Sequence, residues 1–173
     1  NERLIEVSGS TVCRDMTLLS HVFSVAMREW DISISINPMT LVRKPSAGKP
    51  RDRILNDFQR QSLIDACGHC RNPWIQPVVI FALETAARRG EILSLRWSDV
   101  DLGKATAKLM VTKTDEPRTI PLSPACLALL RRLPRSIDGL VFPVTIEALK
   151  QAYKRAVARA GIKDFTFQDR KST

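Results

Sequence analysis

Long apolar runs are missing from this chain of 173 residues: no stretch approaches the roughly 18 apolar positions of a membrane-crossing helix. Asn1 to Ser10 lacks the apolar core of a signal peptide, so a cytoplasmic location is expected. Cysteine is sparse. The four cysteines, without an export signal, read as free thiols in a reducing compartment rather than as a disulfide framework. Cys67-Gly68-His69-Cys70 has the spacing of half a zinc site, yet Cys13, Cys126 and His21 supply no matching pair. That segment reads instead as a helix end with Gly68 as terminator, and neither metal nor cofactor is expected. Aromatic residues make up only 6 %, with no RNA-binding aromatic motif, which weighs against a basic module for RNA. The absence of a strongly amphipathic cationic helix weighs against an anionic membrane surface in the same way. Acidic residues are also short: 18 against 27 Lys and Arg leave a net charge of +9. Such an excess favours a polyanionic partner through phosphate contact and counterion release, with nucleic acid ahead of acidic membrane or acidic protein.

What is present is ordinary globular material, 44 % hydrophobic and 26 % charged, enough for one core and part of another. Val12, Met16, Leu19, Phe23, Met27 and Trp30 recur at helical spacing and predict a helix over residues 11–30. The alternating Ile32 to Ile36 stops at Asn37-Pro38 and reads as an extended connector. Residues 43–53 combine Pro45, Pro50 and Gly48 with Arg43, Lys44, Lys49, Arg51 and Arg53 and carry no apolar periodicity. They mark the best boundary, as a solvated linker or as a basic strap along a phosphate backbone. Asn56 with Gln59 in capping-box spacing opens a helix running to about Cys67. Asn72-Pro73 opens another, with Trp74, Val78, Phe81 and Ala82 as its buried stripe, and a short helix carries Arg88 to Leu95. Residues 105–112 and 118–122 read as the two arms of a hairpin with Lys113 at or just before its tip. Helix returns over residues 124–132 and 145–160, the latter ended by Gly161. There is no internal repeat.

Two segments carry chemistry. The first is Thr85-Ala86-Ala87-Arg88-Arg89-Gly90-Glu91, followed by a Leu-rich turn and Trp97-Ser98-Asp99. The second is Val111-Thr112-Lys113-Thr114, a few turn residues, then Arg118-Thr119-Ile120-Pro121-Leu122. In order and spacing both resemble the tyrosine recombinase, or phage integrase, family, whose first motif reads Thr-Gly-x-Arg-x-x-Glu; Ala86 stands where that family has glycine. The resemblance covers about residues 52–170, and Asn37-Pro38 with the helix before it is similar to the end of the family's helical core-binding domain.

It implies an α+β fold, mainly helical with a small antiparallel sheet. The implied organisation is the end of a core-binding domain at 1–42, a basic linker at 43–54 and an incomplete catalytic domain at 55–173. It also implies site-specific DNA breakage and rejoining through a phosphotyrosine intermediate, with double-stranded DNA and other recombinase subunits as partners. The residue types suit that chemistry. Attack by a side-chain hydroxyl on a phosphodiester builds negative charge on the nonbridging oxygens, which a planar guanidinium clamps bidentately. Arg88 holds that position; Arg89 points roughly 100° away along a helix and is not expected to share it. A lysine on a hairpin can protonate the departing sugar oxygen, the place of Lys113, and Glu91 resembles the family's acidic partner. The basic strap residues Arg43, Lys44, Lys49, Arg51 and Arg53, together with Arg118, are the expected DNA contacts.

The pattern then departs. Where the family has His-x-x-Arg, Gln168 replaces the histidine and Lys171 the arginine, so an acid/base group becomes a neutral amide and a bidentate clamp a point charge. Arg170 is an alternative second arginine, displaced by one residue. The sole tyrosine, Tyr153, lies too early to match the nucleophile and reads as a packing residue, so the 173 residues are expected to bind DNA without cleaving it.

Overall fold

The computed structural model describes residues 7–30, 32–46, 48, 54–110, 117–163, 165 and 167. It divides into two compact units, residues 1–51 and 52–173, and the division falls within the basic stretch.

In the first unit α1 spans Gly9–Glu29. A Cβ on Gly9 would overlap the carbonyl oxygen of Ser46, so the close approach of the 45–46 segment requires glycine there. Asn37 holds the connector to the helix: its Nδ2 donates to the Ser20 carbonyl at 2.8 Å and to the Ser24 hydroxyl at 3.1 Å. Its Oδ1 accepts from the Met39 amide at 3.0 Å and opens the 3-10 turn Pro38–Thr40. The apolar stripe is only partly covered. Met16 and Ala26 are buried, whereas Leu19 and Trp30, expected inside, are 49 % and 58 % exposed. Among the described residues of this unit one helix and one short turn are too little surface to bury the whole stripe.

The second unit holds α2 (Asp57–Gly68), α3 (Ile75–Thr85), α4 (Arg89–Ser94), α5 (Pro124–Arg132) and α6 (Ile146–Arg159) with a three-stranded antiparallel sheet. At the start of α2 the capping box forms: Asn56 Oδ1 accepts from the Gln59 amide at 2.8 Å, and Gln59 Oε1 from the Asn56 amide at 3.4 Å. Gly68 is not the terminator. It is the last residue of α2, and His69 is the C-cap. A Cβ on Gly68 would come within 2.8 Å of Gln76 Nε2, which donates to the Ile64 carbonyl at 3.1 Å; glycine clears the path of that clamp.

The next helix also starts later than Pro73. Asn72 Oδ1 accepts from the Trp74 amide at 2.9 Å, closing a side-chain turn that leaves Trp74 as the N-cap and Ile75 as the first helical residue. α3 is the centre of the unit. Ile75, Val78, Val79, Phe81 and Ala82 are buried, and the Phe81 ring tilts on Phe142 at 5.3 Å between centroids. Each large side chain so enclosed stabilises the fold by about 1.5–3 kcal/mol.

The sheet runs in sequence order, β1 (Val100–Asp101), β2 (Thr106–Leu109) and β3 (Arg118–Pro121), with β1 not foreseen. Ala105 has φ +54° and belongs to the turn, which delays β2 by one residue relative to the expected start. In the β2–β3 pair Ala107 faces Ile120 and Leu109 faces Arg118. Ala107 and Leu109 are buried while Lys108 is exposed, so the sheet lays one face on the core. The hairpin is therefore present, and its tip, residues 111–116 with Lys113, lies outside the described residues.

Ser123 and Thr145 cap α5 and α6 by accepting from the amides of Cys126 and Ala148. After α6, Gly161 (φ +67°) donates to Ala158 and Ile162 to Val157, a Schellman ending at the predicted glycine. Tyr153 is 5 % exposed and meets the Phe167 ring edge-on at 5.0 Å, the packing role expected of it.

Candidate functional site

α3 ends at Thr85, whose hydroxyl donates to the Phe81 carbonyl at 2.7 Å. Ala86 follows in the left-handed region at φ +50°, Ala87 is fully buried, and the chain emerges at Arg88 with extended backbone. This reversal needs one left-handed residue, which accounts for glycine in the motif and for strain at alanine. Arg88 is the N-cap of α4 rather than its first residue, so it meets Glu91 as a cap and not as a neighbour on one helix face.

Glu91 organises the site. It is buried at 5 % exposure, the only charged residue so enclosed among the described residues. Its Oε2 accepts from the Arg88 amide at 2.6 Å and from Arg118 Nη2 at 3.0 Å, and its Oε1 lies 3.4 Å from Arg88 Nη1. The arginine from the end of α3 and the arginine from β3 thus converge on one carboxylate. Their side chains remain 63 % and 51 % exposed. Planar guanidinium groups held side by side and reaching solvent are of the type that accepts a phosphate oxygen.

A second carboxylate stiffens the support. Glu84, on the last turn of α3, ion-pairs with Arg60 of α2 and accepts from the Ser123 hydroxyl at 2.5 Å at the cap of α5. Three helices are therefore pinned just ahead of the turn that delivers Arg88. Nothing in local spacing signalled this, because Glu84 and Ser123 lie 39 residues apart.

Arg89 diverges from its neighbour and lines a hollow with Leu149, Lys150, Tyr153 and Lys154 of α6. Arg43 and Lys44 are exposed in the first unit. Lys49, Arg51, Arg53, Lys113, Gln168, Arg170 and Lys171 lie outside the described residues. Burial pushes the Cys67 thiol up to about 12, with Cys70 adding to the shift and Arg159 opposing it. Among the described residues no group of three or more His, Cys, Asp or Glu is placed to hold a metal.

The model of the phage integrase family matches residues 53–172. The chain belongs to this family. Among its relatives, a shufflon-specific DNA recombinase of Escherichia coli is 38 % identical over 94 % of the chain and 42 % of its own length. A putative integrase/recombinase of Haemophilus influenzae is 33 % identical over 95 % of the chain and 48 % of its own length. The chain thus spans about half the length of these relatives. Among solved structures, lambda integrase residues 75–356 bound to DNA superposes with a TM-score of 0.79 at 19 % identity, covering 98 % of this chain and 65 % of that one. A Tn1549 transposon integrase in complex with DNA superposes at 0.76 and 17 % identity, covering 97 % and 66 %. The shared fold is the mainly helical integrase catalytic domain with its small antiparallel sheet. Among the described residues no helix is long and apolar enough to cross a membrane.

Proposed function

We propose that this chain is the phosphate-binding part of a site-specific DNA recombinase, which in the whole protein breaks and rejoins strands through a phosphotyrosine intermediate. One observation carries the reading: Arg88 and Arg118 converge on buried Glu91 while their side chains remain exposed. Arg88 clamps the nonbridging oxygens as the phosphorus takes up a fifth ligand, Glu91 holds that clamp in register, and Lys113 protonates the departing sugar oxygen. In motif register Gln168 and Lys171 put a neutral amide and a point charge where the family has histidine and arginine, which slows chemistry. The nucleophile is not Tyr153, which is buried against Phe167. These 173 residues therefore bind duplex DNA and do not cleave it.

In this reading residues 1–42 are the end of a core-binding domain, and the stretch 43–54, with Arg43, Lys44, Lys49, Arg51 and Arg53, lies along the backbone. Partner subunits assemble on the DNA, as in the lambda integrase solved as a tetramer on a Holliday junction. The protein works in the cytoplasm, at the nucleoid. A noncatalytic module for RNA, acidic protein or anionic membrane draws no support from the relatives, whose names speak of recombinases and integrases.

The test is duplex binding against salt. Affinity should fall with a log–log slope near −0.9 per phosphate contacted, and Arg88→Ala should make that slope shallower by about one contact. Binding indifferent to salt would remove the reading. A wild-type slope in Arg88→Ala would remove Arg88 from it.

A further inference from the structure

At the end of α3 remote from Arg88, the 69–74 loop and one face of α6 enclose a groove of about 840 Å³. The helix contributes Ala152, Arg155 and Arg159, spaced by three and four residues and so on one face. Opposite them stand His69, Arg71 and Trp74 of the loop. None of the lining residues is acidic, and among the described residues none of the three arginines forms an ion pair. Arg159 uses one of its five donors to bond the Ala66 carbonyl at 2.8 Å, which anchors its guanidinium beside the end of α2.

Three guanidinium groups gathered on a concave surface repel one another unless an anion joins them. Nothing in the recombination chemistry proposed above uses these residues. α3 is 11 residues long, which at about 1.5 Å per residue puts about 16 Å of rigid helix between the groove and the Arg88 turn. One phosphate cannot serve both ends. That span is about half of the roughly 34 Å turn of a DNA duplex, and the groove volume falls within the range of about 300–1,000 Å³ that suits nucleotide-sized ligands. Planar guanidinium forks match phosphate oxygens, and Trp74 adds to the lining an aromatic side chain of the type on which a sugar or a base stacks.

We infer that the groove of Arg71, Arg155, Arg159 and Trp74 is a second DNA-backbone site, which holds phosphates other than the one bound at Arg88. The inference rests on the DNA-binding reading and adds a separate contact to it.

Arg71→Ala/Arg155→Ala tests it, since both side chains are exposed and neither makes a hydrogen bond or ion pair on which the described fold depends. Thermal melting of the variant should match wild type. In duplex binding across a salt series its log–log slope should be shallower by about 1.8, two phosphates' worth, while Arg71→Lys/Arg155→Lys keeps most of the wild-type slope. Phosphate-ethylation interference should then lose a set of phosphates that Arg88→Ala leaves in place. An unchanged slope and footprint in a wild type that does bind DNA would overturn the groove site alone. A wild type with no salt-dependent binding would overturn both readings. Loss of polyglutamate binding with DNA binding intact would assign the groove to an acidic protein segment instead.

Discussion

Arg88 and Glu91 are joined twice, through the backbone amide of one to Oε2 of the other at 2.6 Å and through Nη1 to Oε1 at 3.4 Å. The first link caps a helix and the second holds a charge. Substitutions at Glu91 separate them. Glu91→Gln keeps an acceptor for the amide and loses the charge, whereas Glu91→Ala loses both. Urea denaturation should show Glu91→Ala less stable than Glu91→Gln by about 1–2 kcal/mol, the range of a lost cap. Equal midpoints for the two variants would show that the cap contributes nothing.

Ala86 stands at φ +50° between the end of α3 and Arg88. A Cβ in this region costs about 1–2 kcal/mol, part of which is offset because alanine leaves the unfolded chain less freedom than glycine does. Ala86→Gly should therefore raise stability by about 0.5–1 kcal/mol, seen as a melting temperature about 2–4 °C higher. A lower melting temperature would contradict the strain described at this turn.

Cys67 sets an alkaline limit. Its thiol is pushed from 9.0 up to about 12 by burial, so the folded state holds the proton more tightly than the unfolded state does. The stability it contributes is fully present below pH 9 and is lost as pH rises toward 12. Cys67→Ala should flatten the fall in urea midpoint over that window. The buried thiol should also resist iodoacetamide at pH 8 until the chain unfolds, which mass spectrometry of the labelled protein checks directly.

The capping box of α2 gives a further measurement. Asn56→Ala removes the acceptor for the Gln59 amide and should cost about 1 kcal/mol, while Asn56→Asp should cost much less. Equal losses in the two variants would mean that the cap does not stabilise this helix.

Elements governed by near neighbours were legible from residue order. Asn56 with Gln59 and the Gly161 ending act within a few positions, and both are found where spacing put them. The same local reasoning went astray where another segment intervened. Gly68 makes room for Gln76, Trp74 takes the cap because Asn72 folds onto its amide, and Ala105 turns left-handed ahead of β2. Val141 and Phe142, absent from any periodic pattern, are fully buried in a segment that the Val141 amide ties to the Leu95 carbonyl at 2.9 Å. The site divides in the same way. Arg88 and Glu91 lie three residues apart and were visible as a pair; Arg118 reaches the same carboxylate from 27 positions downstream, which only the fold of the hairpin can arrange.

Pro121 closes β3 opposite Thr106, on an outer strand of the sheet. A proline there presents no amide hydrogen to an incoming strand, and Arg118 at the other end of β3 adds like-charge repulsion between identical edges. Copies brought side by side are thereby discouraged from zipping into a continuous intermolecular sheet. Local concentration can then rise without aggregation starting from this edge.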